Sequence, residues 1–345
     1  MITSNSQNIV VADLLIKIKQ IINTSRTRLA QTINNELIKT YWEIGKVIVE
    51  KEKTNNYDNK SSRQIILELS KQLSKEIGKG FSRSNLFYMR NFYLYFPDVQ
   101  TLSGQLTWSH YCELLAISDD NKRSFYEKET INSGWSVRDL KRQIASSLFE
   151  RLLLSEGKPN KEKVMQLAKE GQVINNPSDL LKDPYVFEFL GITENKPILE
   201  KDLELKLIRH IEDFLLELGK GFMFFGSQFR ITLNNVHHYI DLVFYNKILK
   251  AYILIDLKSE KFQPDNVGQM NMYLNYFKTE INQEEDIEPI GIILCTDKDE
   301  VVAEYALGGL TNQIFASKYV YYLPDKEILI REVERFLIED KLTKQ

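Results

Sequence analysis

Along residues 1–150 the apolar positions keep helical rather than strand spacing. Leu14, Leu15, Ile18 and Ile22 fall three or four residues apart within Val11 to Ile22, and Leu37, Tyr41, Ile44 and Ile48 do the same within Ile33 to Val49. The polar run TNNYDNKSS, Thr54 to Ser62, reads as a loop, and Ser62 precedes a further helix over Ile65 to Ile77 that Gly78-Lys79-Gly80 stops. In FSRSNLFYMRNFYLYFP, Ser82 is placed to cap a helix and Pro97 to end it. Trp108 to Ile117 and Val137 to Leu153 complete a half with few period-2 stretches, all-α and helix-turn-helix-like.

The pattern then changes twice. SEGKPNKEK, NNPSD and TENKPI are turn-rich and flank a short apolar segment, Tyr185 to Leu190, which predicts a partly ordered connector. Beyond it, KDLELKLIRHIEDFLLELG reads as a helix ending at Gly219. GFMFFGSQFRITL, HYIDLVFY and AYILIDLK read as strands, being rich in aromatic and β-branched residues. A helical GQMNMYLNYF, strand-like IGIILCT, helical EVVAEYAL, strand-like KYVYYL and a last helix from Asp325 follow. The order αβββαβαβα predicts an α/β domain with a mixed sheet. The expected organisation is a helical domain over 1–155, a connector over 156–200 and the α/β domain over 201–345.

Composition narrows the class. At 43% hydrophobic and 11% aromatic, the 345 residues can fill real cores, which excludes global disorder. No apolar run approaches the ~18 residues of a membrane span, and MITSNSQNIVVADLL lacks the basic-then-apolar layout of a secretory signal. Cys112 and Cys295 show neither metal-ligand spacing nor a disulfide framework, so a reducing cytoplasm is the expected home. Charge is uneven. Residues 1–150 hold 21 Lys and Arg against 16 Asp and Glu, a balance of +5; residues 151–345 hold 24 against 32, a balance of −8. A nucleic-acid backbone would therefore meet the first half, while the second has carboxylates to gather round a divalent cation. Ile77 to Pro97 contains Lys79, Arg83 and Arg90 and no acid, beside Phe87, Tyr88, Phe92 and Tyr93. Such a helix suits either a DNA backbone or a solvated face over an aromatic core.

The chemistry concentrates in HYIDLVFYNKILKAYILIDLKSEKF, two strands separated by Asn246 to Lys250. A hairpin closing about Ile248 and Leu249 sets Asp241 opposite Asp256 on one sheet face, with Lys258 two residues on from Asp256 and on the same face. Opposed carboxylates in apolar strands repel unless something positive sits between them, and hard cations prefer carboxylate oxygen. An ammonium beside such a cation can orient water and stabilise charge building on phosphate. The same residues also suit an ordinary strand-end ion pair with Asp241 as a strand cap, and D-x-K by itself does not separate the two. Gln228, near the strand leading to Asp241, suits phosphate contact or plain surface exposure. His237 and His238 read as turn or surface residues, Trp108 and Trp135 as core, and His110 as a structural hydrogen-bonding residue.

GFMFFGSQF, YIDLVFY, IDLK and GQMNMYLNYF, between Lys201 and Phe277, resemble the YhcG-like family of bacterial PD-(D/E)XK nucleases. LTWSHYCELL, GWSVRDLKRQI and DPYVFEFLG extend the resemblance over nearly the whole chain. It implies a restriction-endonuclease-like fold and hydrolysis of DNA phosphodiesters with Mg2+ or Mn2+, with branched or recombination intermediates among the DNA forms. Nucleases of this fold often work as dimers, so a homodimer is implied for two-strand cutting. Asp241 matches the first metal-binding Asp, Asp256 the acid of the (D/E)XK triplet and Lys258 its lysine; the backbone carbonyl of Leu257 joins the metal set. Gln269 matches the glutamine of the following helix. Glu204 is the first choice for the glutamate of the preceding helix, which would join the metal set, with Glu212 and Glu217 as rivals. Relatives more often carry Glu where Asp256 stands and a basic residue where Ser227 stands. A non-catalytic DNA-binding or assembly protein keeping a nuclease-like fold is the alternative.

Overall fold

The computed structural model describes residues 2–55, 59–155, 160–192, 198–310 and 313–343. Parts of the polar segments TNNYDNKSS, SEGKPNKEK and TENKPI lie outside the described residues. Contacts divide the chain into two compact units, residues 1–123 and 124–345. Among the described residues no helix is long and apolar enough to cross a membrane.

The first unit is helical. Its α1 (Ile2–Thr54) is one continuous helix rather than the two expected, because no glycine or proline interrupts the chain before Gly45. α2 (Asn59–Glu76) starts earlier than Ser62, so the polar loop is shorter than its composition suggested. α3 (Arg83–Tyr95) is capped as expected, the Ser82 side chain accepting the Asn85 N–H. α4 (Trp108–Leu114) carries His110 buried, its Nδ1 accepting the Thr107 N–H at 3.1 Å. The core is Ile48, Ile66, Leu86 and Met89, with Trp108 packed against it, and the Trp42 indole donates to the Phe96 carbonyl at 2.7 Å.

In the second unit, α5 (Asp120–Ser133), whose first four residues belong to the first unit, is followed by α6 (Val137–Ala145) and α7 (Leu148–Leu154). The single helix expected over Val137 to Leu153 breaks at Ser147, which takes a left-handed φ of 54°. α8 (Lys161–Glu170) and β1 (Tyr185–Val186) follow. β1 is fully buried and pairs in parallel with β6 (Gln313–Val320), so this apolar piece of the expected connector is part of the sheet. The helix expected up to Gly219 is two, α9 (Glu200–Arg209) and α10 (Ile211–Leu218), divided at His210. β2 (Phe222–Leu233), β3 (Val236–Asn246) and β4 (Ala251–Leu257) form the antiparallel part. α11 (Pro264–Tyr276), β5 (Ile290–Cys295), α12 (Glu300–Leu307), β6 and α13 (Lys326–Thr343) complete the unit.

The sheet order is β1-β6-β5-β4-β3-β2, with β4, β5, β6 and β1 parallel. Its central strands β4 and β5 read as continuous apolar runs because both faces are covered. Leu242, Phe244, Ile253 and Ile255 pack against Leu203, Leu207 and Phe214 of α9 and α10. Val243, Leu254 and Ile293 pack on the other face against Val267, Met270 and Leu274 of α11.

A buried ionic cluster ties this unit together. Glu217 and Arg151 are both fully enclosed and paired, Arg142 Nη1 reaches Glu217 at 3.2 Å, and Arg142 Nε bonds Glu188 at 2.8 Å. Lys182 Nζ donates to the Glu217 carbonyl. Burial alone would raise the Glu217 carboxyl; Arg151, Lys182 and Arg142 reverse that and hold it at about 2. Removing one partner would strand a buried charge, which typically costs about 3–5 kcal/mol.

In the first unit Gly45 lies where α1 packs against the backbone of α3. A Cβ there would collide with the Met89 carbonyl, which is backbone and cannot swing away. Gly45→Ala is expected to destabilise the unit by about 2–3 kcal/mol despite the better helix propensity of alanine. Thermal denaturation checks this, and an unchanged or raised melting temperature would show that the crossing yields.

Candidate active site

The register of the sheet assembles the site. Every β3–β4 pair from Leu242↔Ile255 to Asn246↔Ala251 has the offset expected from the sequence, and Asp241 and Asp256 stand one step beyond Leu242↔Ile255. Across the other edge of β3, Ser227↔Leu242 and Phe229↔Ile240 bracket Gln228 and Asp241, so Gln228 stands opposite Asp241. A bulge at Phe225 and the left-handed φ of 45° at Gln228 set the direction of that side chain.

The side chains then converge. Asp241 Oδ2 accepts the Leu257 N–H at 2.8 Å, and its Oδ1 accepts from Gln228 Nε2 at 3.2 Å. The same Gln228 amide donates to Glu204 Oε2 at 2.7 Å, so Glu204, 3% exposed on α9, is linked to Asp241 through Gln228. Asp256 is also 3% exposed. Lys258 Nζ lies 2.9 Å from Asp256 Oδ2, off the hydrogen-bond direction, so that buried oxygen has an ion-pair neighbour and no hydrogen bond. Gln269, exposed on α11, donates to the Tyr273 hydroxyl at 2.6 Å; that hydroxyl donates to the Tyr239 carbonyl, two residues before Asp241, at 3.0 Å. Gln269 thus reaches β3 through Tyr273.

The rival glutamates lie elsewhere. Glu217 is consumed by the arginine cluster, and Glu212 is exposed on α10. Sequence reasoning missed Glu200 and Tyr273. Glu200 Oε1 accepts the Ser259 N–H at 3.1 Å, and its other oxygen is 4.0 Å from Lys258 Nζ. A signal existed for both: Glu200 stands four residues before Glu204, and Tyr273 four after Gln269, each one helical turn away on the same face. In the first unit Lys79 and Arg83 are exposed, Arg83 lying over the Phe87 ring at 5.7 Å. Arg90 Nε bonds both oxygens of Glu52 at 2.9 and 2.8 Å, so its charge is answered by an acid from α1. His237 is exposed and bonded to Thr232, its partner across β2 and β3, so it is a surface residue in a strand and not in a turn.

Electrostatics separate this site from the arginine cluster. Burial pushes the Asp256 carboxyl up to about 6; Lys258 opposes the rise and Asp241 adds to it. Burial also raises Asp241, against the Leu257 N–H and Lys258 that lower it. Glu204 is raised by burial and then by Asp241. Burial would lower Lys258, but Asp256 and the surrounding carboxylates raise it. Among the described residues no three His, Cys, Asp or Glu side chains converge as they would to hold a metal ion. The donor set itself fits a divalent cation: two hard carboxylates from adjacent strands, under-neutralised, one with a buried oxygen that lacks a hydrogen bond.

The mixed sheet sets Asp241 in the middle of β3, Asp256 near the end of β4 and Lys258 just beyond it, with Glu204 on the preceding helix, the arrangement that the resemblance to PD-(D/E)XK nuclease domains implies. Residues 178–334 match the YhcG PDDEXK nuclease domain, and residues 17–151 match the DUF1016 N-terminal domain. The chain is 38% identical over 347 residues, covering 91% of both chains, to the Escherichia coli (strain K12) protein named "Putative nuclease YhcG". It belongs to the YhcG family. Nucleases of this class generally use divalent metal ions. Among solved structures, a repair endonuclease from Pyrococcus abyssi overlaps 36% of this chain at 17% identity, TM-score 0.27. EndoMS in apo form overlaps 38% at 14% identity, TM-score 0.25. The matched parts span about half of each of those chains, 49%, and overlaps this loose bear no weight on substrate or mechanism.

Asp256 makes one distinct contribution to the pH dependence of the metal-free protein. Its folded value, about 6, exceeds the ordinary 3.8, so the folded state binds the proton more readily than the unfolded. The group therefore costs stability above pH 6, by up to about 3 kcal/mol. That cost is relieved as pH falls from about 6 to about 4. In EDTA, Asp256→Asn is expected to melt higher than the parent at pH 7.5, with the difference shrinking by pH 4.5. Identical melting at both values would show that burial and Asp241 impose no cost on the carboxylate.

Proposed function

We propose that this chain is a Mg2+-dependent DNA endonuclease that hydrolyses backbone phosphodiesters at Asp241, Asp256 and Lys258, with Mn2+ as an acceptable substitute. The observation that carries the reading is the pair of buried, under-neutralised carboxylates on adjacent strands with an ammonium beside them. Asp241, Asp256 and the Leu257 carbonyl would hold the cation, which when bound supplies an activated water and neutralises phosphate charge. Glu204 would support them through Gln228. The Leu257 N–H and Gln228 fix both oxygens of Asp241, so its carboxylate is oriented before any ligand arrives. Lys258 meets the charge that builds on the phosphate oxygens. Gln269, bonded to Tyr273, would contact the DNA strand or brace β3.

The +5 half is read as the DNA-binding part, with Lys79 and Arg83 free to meet phosphates and Arg90 engaged with Glu52. The partner is DNA, branched forms among the candidates, the setting is the cytoplasm, and two-strand cutting would call for a homodimer. A second reading, a non-catalytic DNA-binding or assembly protein, draws on one observation: Lys258 already faces Asp256, so the site is partly neutralised from within.

Cleavage of supercoiled, linear, single-stranded and branched DNA with Mg2+ or Mn2+ separates the two. Lys258→Ala is expected to lower the rate about a hundredfold or more, leaving DNA affinity in Ca2+ little changed. Lys258→Arg is not expected to rescue it, since a delocalised guanidinium does not copy a compact ammonium. Replacing Lys79 and Arg83 by Ala should weaken DNA binding and lower its salt slope by about two. A folded, DNA-binding parent that cleaves nothing supports the second reading. A parent that cleaves no faster than Lys258→Ala removes Lys258 from the site.

A further inference from the structure

Glu200 opens α9, one turn before Glu204. An acid in the first turn of a helix is favourable beside the helix dipole, and that would account for its charge. It does not account for where its two oxygens lie. Oε1 accepts the Ser259 N–H at 3.1 Å, and Oε2 stands 4.0 Å from Lys258 Nζ. The ammonium therefore lies between two carboxylates from different elements, Asp256 on its own strand at 2.9 Å and Glu200 on the helix across from it.

The backbone around Lys258 is held on every side. Its N–H donates to the Leu294 carbonyl at 2.8 Å, its carbonyl accepts from the Tyr319 hydroxyl at 2.9 Å, and the next N–H is the one Glu200 takes. A clamped backbone fixes the root of the side chain, but four methylenes leave its tip free to wander. Only a charge at the far end can aim it.

We propose that Glu200 is a positioning residue for Lys258, holding the turn after β4 through Ser259 and drawing the ammonium toward the site from the helix side. This rests on Lys258 being the group that meets phosphate. Once another positive charge occupies Asp256, Glu200 is the carboxylate left to hold the lysine.

A double-mutant cycle tests it. Glu200→Gln keeps the length and an amide oxygen for the Ser259 N–H while removing the charge. In metal-free thermal melting, Glu200→Gln is expected to raise the melting temperature more in a Lys258→Ala background than in the parent. Any loss of helix-dipole and Ser259 stabilisation is common to both backgrounds and cancels, as does the relief of repulsion with Asp241 and Asp256; only in the presence of the lysine is an attraction lost as well. In cleavage, Glu200→Gln alone should lower kcat between about tenfold and a hundredfold, with KM moving less than about twofold. Added to Lys258→Ala it should change kcat little. Equal melting shifts in the two backgrounds, or losses of kcat that multiply, would overturn the proposal. If the parent cleaves no DNA, the nuclease reading falls, and the melting cycle still decides whether Glu200 holds Lys258.

Discussion

Two carboxylates side by side in a buried sheet are the constraint on which the second unit turns. The antiparallel register of β3 on β4 leaves no alternative, since a one-residue slip would turn Leu242 and Phe244 to the wrong face and empty one side of the core. Asp241 and Asp256 are thus forced together by the same packing that stabilises the sheet. Their surroundings are arranged around that strain. Lys258 follows on the same face, Gln228 is turned toward Asp241 by a bulge and a left-handed backbone, and the Leu257 N–H takes an oxygen.

The same unit contains a contrasting solution to the same physical problem. Glu217 is as deeply buried as Asp256, yet its carboxyl is held at about 2 and that of Asp256 is pushed to about 6. The difference lies in the partners: two arginines and Lys182 surround Glu217, whereas Asp256 has one lysine and an aspartate. A carboxylate fully answered by the protein has no capacity left for a ligand. One left under-neutralised does, and the opposite shifts of the two groups are the contrast that makes Asp256, not Glu217, the candidate site. The arginine cluster also joins α6 and α7 to α10 and the strand that ends the sheet, so it fixes the helices against which β3 and β4 pack.

Most of the candidate site's geometry was legible because β-structure writes its geometry into residue spacing. The five-residue connection between HYIDLVFY and AYILIDLK fixed the Asp241–Asp256 pairing, and the aromatic and β-branched runs marked β2 to β4. What escaped depended on contacts between distant segments. Arg90 sits in a stretch without acids, but Glu52, 38 residues earlier, lies beside it. Glu200 shares a helix face with Glu204, which the spacing shows, but its approach to Lys258 depends on how α9 lies across the end of β4, which the spacing does not show. Helix ends were misjudged for a local reason: breaks at Ser147 and His210 come at residues with no glycine or proline to announce them, while α1 runs on through polar residues that do not compel a stop.

The central claim is that Asp241 and Asp256 together form a divalent-cation site. Anomalous diffraction from crystals grown with Mn2+ tests it most directly. The account predicts an anomalous peak bonded to carboxylate oxygens of both residues, with the peak gone in Asp256→Asn. A peak at any other place, or none while Asp256 and Lys258 remain paired, would contradict it.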